Sequence, residues 1–132
     1  MRRAGKGLQA LEPQLSVLAT SPLLRAVQTG KIVARQYDSI EPVQIPQLLP
    51  RKPLPGLLTW VQSQKPDAVV ALVGHEPHLS TFAGWLMTGL QESFIELKKG
   101  GAAMVDLPDE VKPGHGKLLW SLKPSHLRRL GK

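Results

Sequence analysis

Cysteine is absent from the 132 residues. That removes disulfides, thiolate nucleophiles and every cysteine-bound zinc or iron–sulfur site, and it is compatible with a reducing cytosol. Aromatics are sparse: Trp60, Trp85, Trp120, Tyr37, Phe82 and Phe94 are the whole set, and none is interleaved with the basic residues. Base-stacking platforms are therefore not expected, and the net charge of +7 does not restore a nucleic-acid reading because its cations are scattered. Arg2, Arg3 and Lys6 lie at one end, Lys98 and Lys99 inside, and Arg128, Arg129 and Lys132 at the other. Such an excess serves solubility and attraction of a phosphorylated substrate equally well. No apolar run approaches a membrane span and no charged-then-apolar leader opens the chain, so the sequence reads as a cytoplasmic protein without a membrane partner.

What is there is organised around Ala68-Val69-Val70-Ala71-Leu72-Val73, six apolar residues that stop at Gly74-His75-Glu76-Pro77-His78. An unbroken apolar run of this length predicts a strand buried on both faces of a helix-covered parallel sheet. Pro77 suits the first position of the next helix, with Glu76 as its cap. His75 then sits beyond the carboxyl end of a strand and beside a helix N-terminus, where open α/β sheets bind ligands and unpaired amides attract anions.

The length and the 42% apolar content suit one domain, residues 1–132, with a single core. Ala4, Leu8 and Leu11 have helical spacing with no capping residue before them, so the helix reads as already under way at Met1. Residues 15–19 read as a short buried strand. Ser21-Pro22 then predicts a helix start, with Ser21 as cap and a helix from Leu23 to about Gln36 burying Leu24, Val27, Val33 and Tyr37 or their near neighbours. Residues 38–56 are a proline-stiffened connection with at most a short strand around 43–45, and residues 57–64 a short helix. Leu79, Phe82, Ala83, Leu86 and Leu90 predict an amphipathic helix from 77 to about 88. Residues 102–107 and 117–122 read as a hairpin forming an antiparallel sheet edge, and Pro124 opens a last helix. The order of elements indicates a three-layer α/β domain.

Among candidate residues, His75 stands out by its position, although a lone histidine is often structural. Arg25 falls in the first turn of its helix, where the macrodipole disfavours a cation. An anion held there would explain it; a solvated surface arginine is the plainer reading of Arg25 taken alone. His78 and His75 do not complete a metal-ligand spacing, and no metal or other cofactor is expected. His115 and His126 read as surface residues, and Lys98-Lys99 as a solvated turn or a substrate contact. Glu76 is a cap first and a proton-transfer candidate second.

Thr20-Ser21-Pro22-Leu23-Leu24-Arg25-Ala26-Val27-Gln28-Thr29 and Val73-Gly74-His75-Glu76-Pro77-His78-Leu79-Ser80 carry a resemblance, together with Leu97-Lys98-Lys99-Gly100-Gly101-Ala102 and Leu119-Trp120-Ser121-Leu122-Lys123-Pro124. In this order they resemble phosphohistidine phosphatases of the SixA type, in the histidine phosphatase superfamily. The resemblance implies a three-layer α/β/α fold with a mostly parallel sheet, as in phosphoglycerate mutase. It implies hydrolysis of phosphohistidine through an attacking histidine in an Arg-His-Gly motif at the end of a first, central strand. Arg25 would grip the phosphate, His75 would be the second pocket histidine, and Ser21 a further phosphate contact. The implied partner is a phosphohistidine-bearing protein, such as a phosphotransfer domain, or a small phosphate ester. No Arg-His-Gly triplet occurs in this sequence. The nucleophile and its strand are therefore expected to be missing from an N-terminally truncated domain, which would expose apolar sheet edges and be inactive as it stands. The alternative is a non-catalytic phosphate- or phosphoprotein-binding relative.

Overall fold

The computed structural model describes residues 2–38 and 40–132. Its elements run α1 (Arg2–Leu11), β1 (Val17–Thr20), α2 (Leu24–Ala34), β2 (Val43–Gln44), a short 3-10 helix (Pro46–Leu48), α3 (Leu54–Gln62), β3 (Val70–Val73), α4 (His78–Thr88), β4 (Ala102–Asp106), β5 (Lys117–Leu122) and α5 (Pro124–Leu130). The expected helical start at Met1 lies outside the described residues. No described helix is long and apolar enough to cross a membrane.

β1 lies between β2 and β3, parallel to both, with Val17 opposite Val70 and Thr20 opposite Val73. Side chains alternate across this sheet and so feed two cores. Ala19 and Leu72 join Leu54 and Leu57 of α3 and Phe82 and Leu86 of α4 on one face. Leu18, Ala71 and Val73 meet Leu8 of α1 and Val33 and Ala34 of α2 on the other. The result is an α/β/α arrangement with a mostly parallel sheet, as the sequence pattern predicts. Glycines allow the closest approaches: a Cβ on Gly7 of α1 would meet the Leu127 carbonyl of α5, and one on Gly30 of α2 would meet the Thr20 methyl. Gly89, at φ 82°, takes the left-handed conformation that ends α4.

The hairpin differs from expectation. β4 and β5 pair antiparallel, but as a separate two-stranded sheet and not as the edge of the parallel one. Val70–Val73 correspondingly are only half-buried, where the apolar run predicts full burial on both faces. The physical reason is that, among the described residues, β3 has a strand on one side only.

Local corrections follow from packing. Leu24, expected in the core, is 71% exposed, because α2 begins three residues after Ser21 and turns Ala26, Gly30, Val33 and Ala34 inward. α3 starts at Leu54, with Pro53 before it and Pro55 in its first turn, and not at residue 57.

Candidate active site

The carboxyl ends of β1 and β3 carry the two motifs, and the backbone locks them together. The Ser21 N–H donates to the Val73 carbonyl at 2.8 Å, and the Thr20 carbonyl accepts the Ile45 N–H at 2.9 Å. This register places His75 Nε2 2.8 Å from Ser21 Oγ. Ser21 is fully buried.

The pair's protons can be assigned by counting partners. Ser21 Oγ accepts the Leu23 N–H at 3.2 Å, so its own hydrogen needs an acceptor, and His75 Nε2 is the one on hand. Nε2 then carries a lone pair and Nδ1 the hydrogen. That N–H has no protein partner among the described residues, so the ring can donate to a ligand. Burial, with the neighbouring His78 charge adding, lowers the His75 pKa below its ordinary 6.5, so the ring is neutral at pH 7.

Ser21 is thus not the cap of α2: the N-cap position falls to Leu23, which makes no side-chain cap bond. Its hydroxyl holds the loop just ahead of the helix. Leu24, Arg25 and Ala26 open α2, and their amides bond no protein group among the described residues. Arg25 is exposed on this first turn and forms no ion pair among the described residues. A free cation and free amides on one helical turn suit an oxyanion.

α4 behaves differently from expectation. Pro77 is its N-cap and not its first residue, and Glu76 lies one residue further out. Glu76 still caps: its carboxylate accepts the Ser80 N–H at 2.9 Å and the Ser80 hydroxyl at 2.5 Å, while Ser93 donates to that hydroxyl at 2.8 Å. The Leu79 N–H goes to the His75 carbonyl at 2.9 Å. With Leu79 and Ser80 so committed, this helix end orients His75 and leaves anion binding to α2. The Glu76 carboxylate is engaged on both oxygens, which favours its structural role.

Beyond the Glu76-Pro77 turn lies a cleft of about 390 Å³, walled by Arg51, Leu54, Glu76, His78 and Thr81 among others. His78 is buried there, its Nε2–H donating to the Lys52 carbonyl at 2.9 Å and its Nδ1 without a partner among the described residues. Sequence reasoning missed this cleft, since Arg51 comes from the proline-rich connection and no local pattern joins it to residue 78. Arg51 holds φ 66°, unusual for a residue other than glycine. His115, His126, Lys98 and Lys99 are exposed, and Lys98 lies 3.9 Å from Glu96.

Comparison with solved structures gives a TM-score of 0.80 to the protein histidine phosphatase SixA in complex with tungstate, over 96% of this chain and 80% of that one. The fold is that of SixA. Sequence identity is 22%, so the likeness is one of architecture. An uncharacterised protein of Picosynechococcus is 38% identical over 96 residues, 71% of this chain and 58% of that protein. The chain thus matches little over half of that relative's length. No family model matches the chain.

Proposed function

We propose that this chain is a phosphohistidine phosphatase-like protein, with Arg25 and His75 binding the phosphoryl group of a phosphohistidine in a signalling protein. The observation that carries this reading is the Ser21–His75 hydrogen bond, which joins two sequence motifs at the carboxyl edge of the sheet, beside the free first turn of α2. Tungstate is a tetrahedral oxyanion, the shape a phosphoryl group presents, and the similar SixA structure holds it. Here the Arg25 fork offers two donors and neutral His75 one more. Such donors stabilise charge on the equatorial oxygens of a phosphoryl group in transfer, each by roughly 2–4 kcal/mol of barrier.

In the reaction, the N–P bond of phosphohistidine breaks as an attacking histidine takes the phosphoryl group, and water then releases phosphate. Imidazole leaves readily, so little is asked of Glu76 as an acid. The attacking histidine is not among these residues: none of the four histidines follows an arginine. We therefore assign binding to this chain, and turnover to the domain completed by an N-terminal Arg-His-Gly strand, acting in the cytoplasm on a phosphotransfer domain or a small phosphate ester.

The same lack of a nucleophile favours a second reading, a non-catalytic phosphoprotein-binding relative. Joining an Arg-His-Gly strand to the chain and assaying phosphohistidine hydrolysis separates the two. Turnover that is lost on His75→Ala supports the phosphatase. Tight phosphate binding without turnover supports the binding relative.

A further inference from the structure

An arginine stands where the backbone favours glycine. Leu49-Pro50-Arg51-Lys52 form a turn closed by the Lys52 N–H on the Leu49 carbonyl at 3.3 Å, and Arg51 is its second central residue, at φ 66°. Glycine or asparagine fills such a position at less steric cost than a long side chain, so the turn by itself gives no reason for arginine. A strained residue kept beside a cleft points to a use for its side chain.

The turn is held firmly in place. Pro50 and Pro53 fix φ on either side of it. The Lys52 carbonyl accepts from Nε2 of His78, the buried first residue of α4, at 2.9 Å. Arg51 is thereby set on the wall of the cleft of about 390 Å³, exposed and without an ion pair among the described residues. It is the one lysine or arginine lining that cleft among the described residues. Pro50, Leu54 and Pro77 supply apolar wall, and Glu76, the one acid there, has both carboxylate oxygens engaged by Ser80. A single guanidinium fork above an apolar wall matches a carboxylate on a short aliphatic arm. A second phosphoryl group would bring two charges to one cation.

From this we infer that the cleft is a specificity subsite, in which Arg51 binds the carboxylate of an aspartate or glutamate that lies close to the phosphohistidine of the same substrate. That the phosphoryl group lies at Arg25 and His75 rests on the proposed function; the binding of a carboxylate at Arg51 does not. The two places are within reach of one short segment. The cleft begins at Glu76, the residue after His75, and His75 and His78, three positions apart, have Cα atoms within about 11 Å of each other. An acidic residue a few positions from the phosphohistidine covers that distance. A phosphate ester without a carboxylate leaves Arg51 unused.

The test compares two ligands by calorimetry, 6-phosphonohexanoate and hexylphosphonate, which differ in the terminal carboxylate. The native chain should bind the carboxylate-bearing ligand about tenfold more tightly, as one charge-assisted contact gives. That advantage should vanish in Arg51→Asn and Arg51→Gly, both of which accept the left-handed backbone and so keep the turn. It should persist in Arg129→Ala, which removes an exposed cation elsewhere and so controls for overall charge. Equal affinity for the two ligands in the native chain, or an advantage that survives both Arg51 variants, overturns the inference. Failure of hexylphosphonate and tungstate alike to bind at millimolar concentration counts instead against the proposed function. The cleft is then read alone, by NMR of the His78 ring titrated with 6-phosphonohexanoate: a shift that depends on Arg51 leaves the subsite standing, and no such shift overturns it as well.

Discussion

His75 Nε2 and Ser21 Oγ meet at 2.8 Å across 54 positions of sequence, and the side chain of each is held by the other. Removing the hydroxyl takes away a hydrogen bond to the neutral form of the imidazole. Ser21→Ala should therefore raise the His75 pKa, as followed by the ring proton signals, and destabilise the fold by about 1–2 kcal/mol in urea titration, since Ser21 is fully buried.

The lowered His75 pKa sets a pH dependence. The fold favours the neutral ring, so this contribution to stability is complete above the ordinary value of 6.5 and is lost as pH falls through the lowered one. Ligand binding runs the other way, because an imidazolium attracts an oxyanion more strongly. Sulfate, whose own charge is constant near neutrality, should bind more tightly as pH falls through the His75 titration. Calorimetry from pH 8 to pH 5 should show that rise in the native chain and not in His75→Ala.

Tyr37 is the only tyrosine, which makes its ionisation readable by ultraviolet absorbance. Its hydroxyl donates to the Glu12 carbonyl at 2.7 Å, and burial together with the Glu12 charge pushes its pKa from 10.0 up to about 12. The fold thus favours the protonated phenol, a contribution complete below pH 10 and lost as pH rises through about 12. The absorbance midpoint should lie near 12 in the folded chain, return toward 10 in urea, and fall in Glu12→Gln.

Gly7 governs the contact between α1 and α5. A Cβ there would overlap the Leu127 carbonyl, and a backbone atom cannot swing aside as a side chain can. Gly7→Ala should cost about 1–3 kcal/mol of unfolding free energy, measured by chemical denaturation. Gly56→Ala is the control, because its Cβ would meet nothing nearer than 3.7 Å.

The sequence made most of this fold legible where a local cause sufficed. The apolar run ending at Val73, the turn at Gly74 and the period of Leu79, Phe82 and Leu86 place β3 and α4 within a few residues. The SixA-like fold was also legible, through the motifs around Ser21 and His75. Burial was less so. Leu24 fits a helical pattern, but which face turns inward depends on where α2 starts and on what it packs against. The half-burial of Val70–Val73 and the separate hairpin are properties of the whole sheet, invisible to a residue window. The role of Glu76 was half visible: the capping chemistry is local, but the helix starts one residue later than the Pro77 pattern predicts, with Pro77 itself as N-cap and Glu76 outside it. Arg51 and His78 share a cleft only because the proline-rich connection folds back over α4.

The most direct measurement is calorimetric titration of the chain with tungstate, repeated with Arg25→Ala and with His75→Ala. The native chain should bind, with loss of about tenfold or more in affinity for each variant, since each removes a strong donor to the anion. An absence of binding at millimolar tungstate, or an affinity unchanged in both variants, would contradict it.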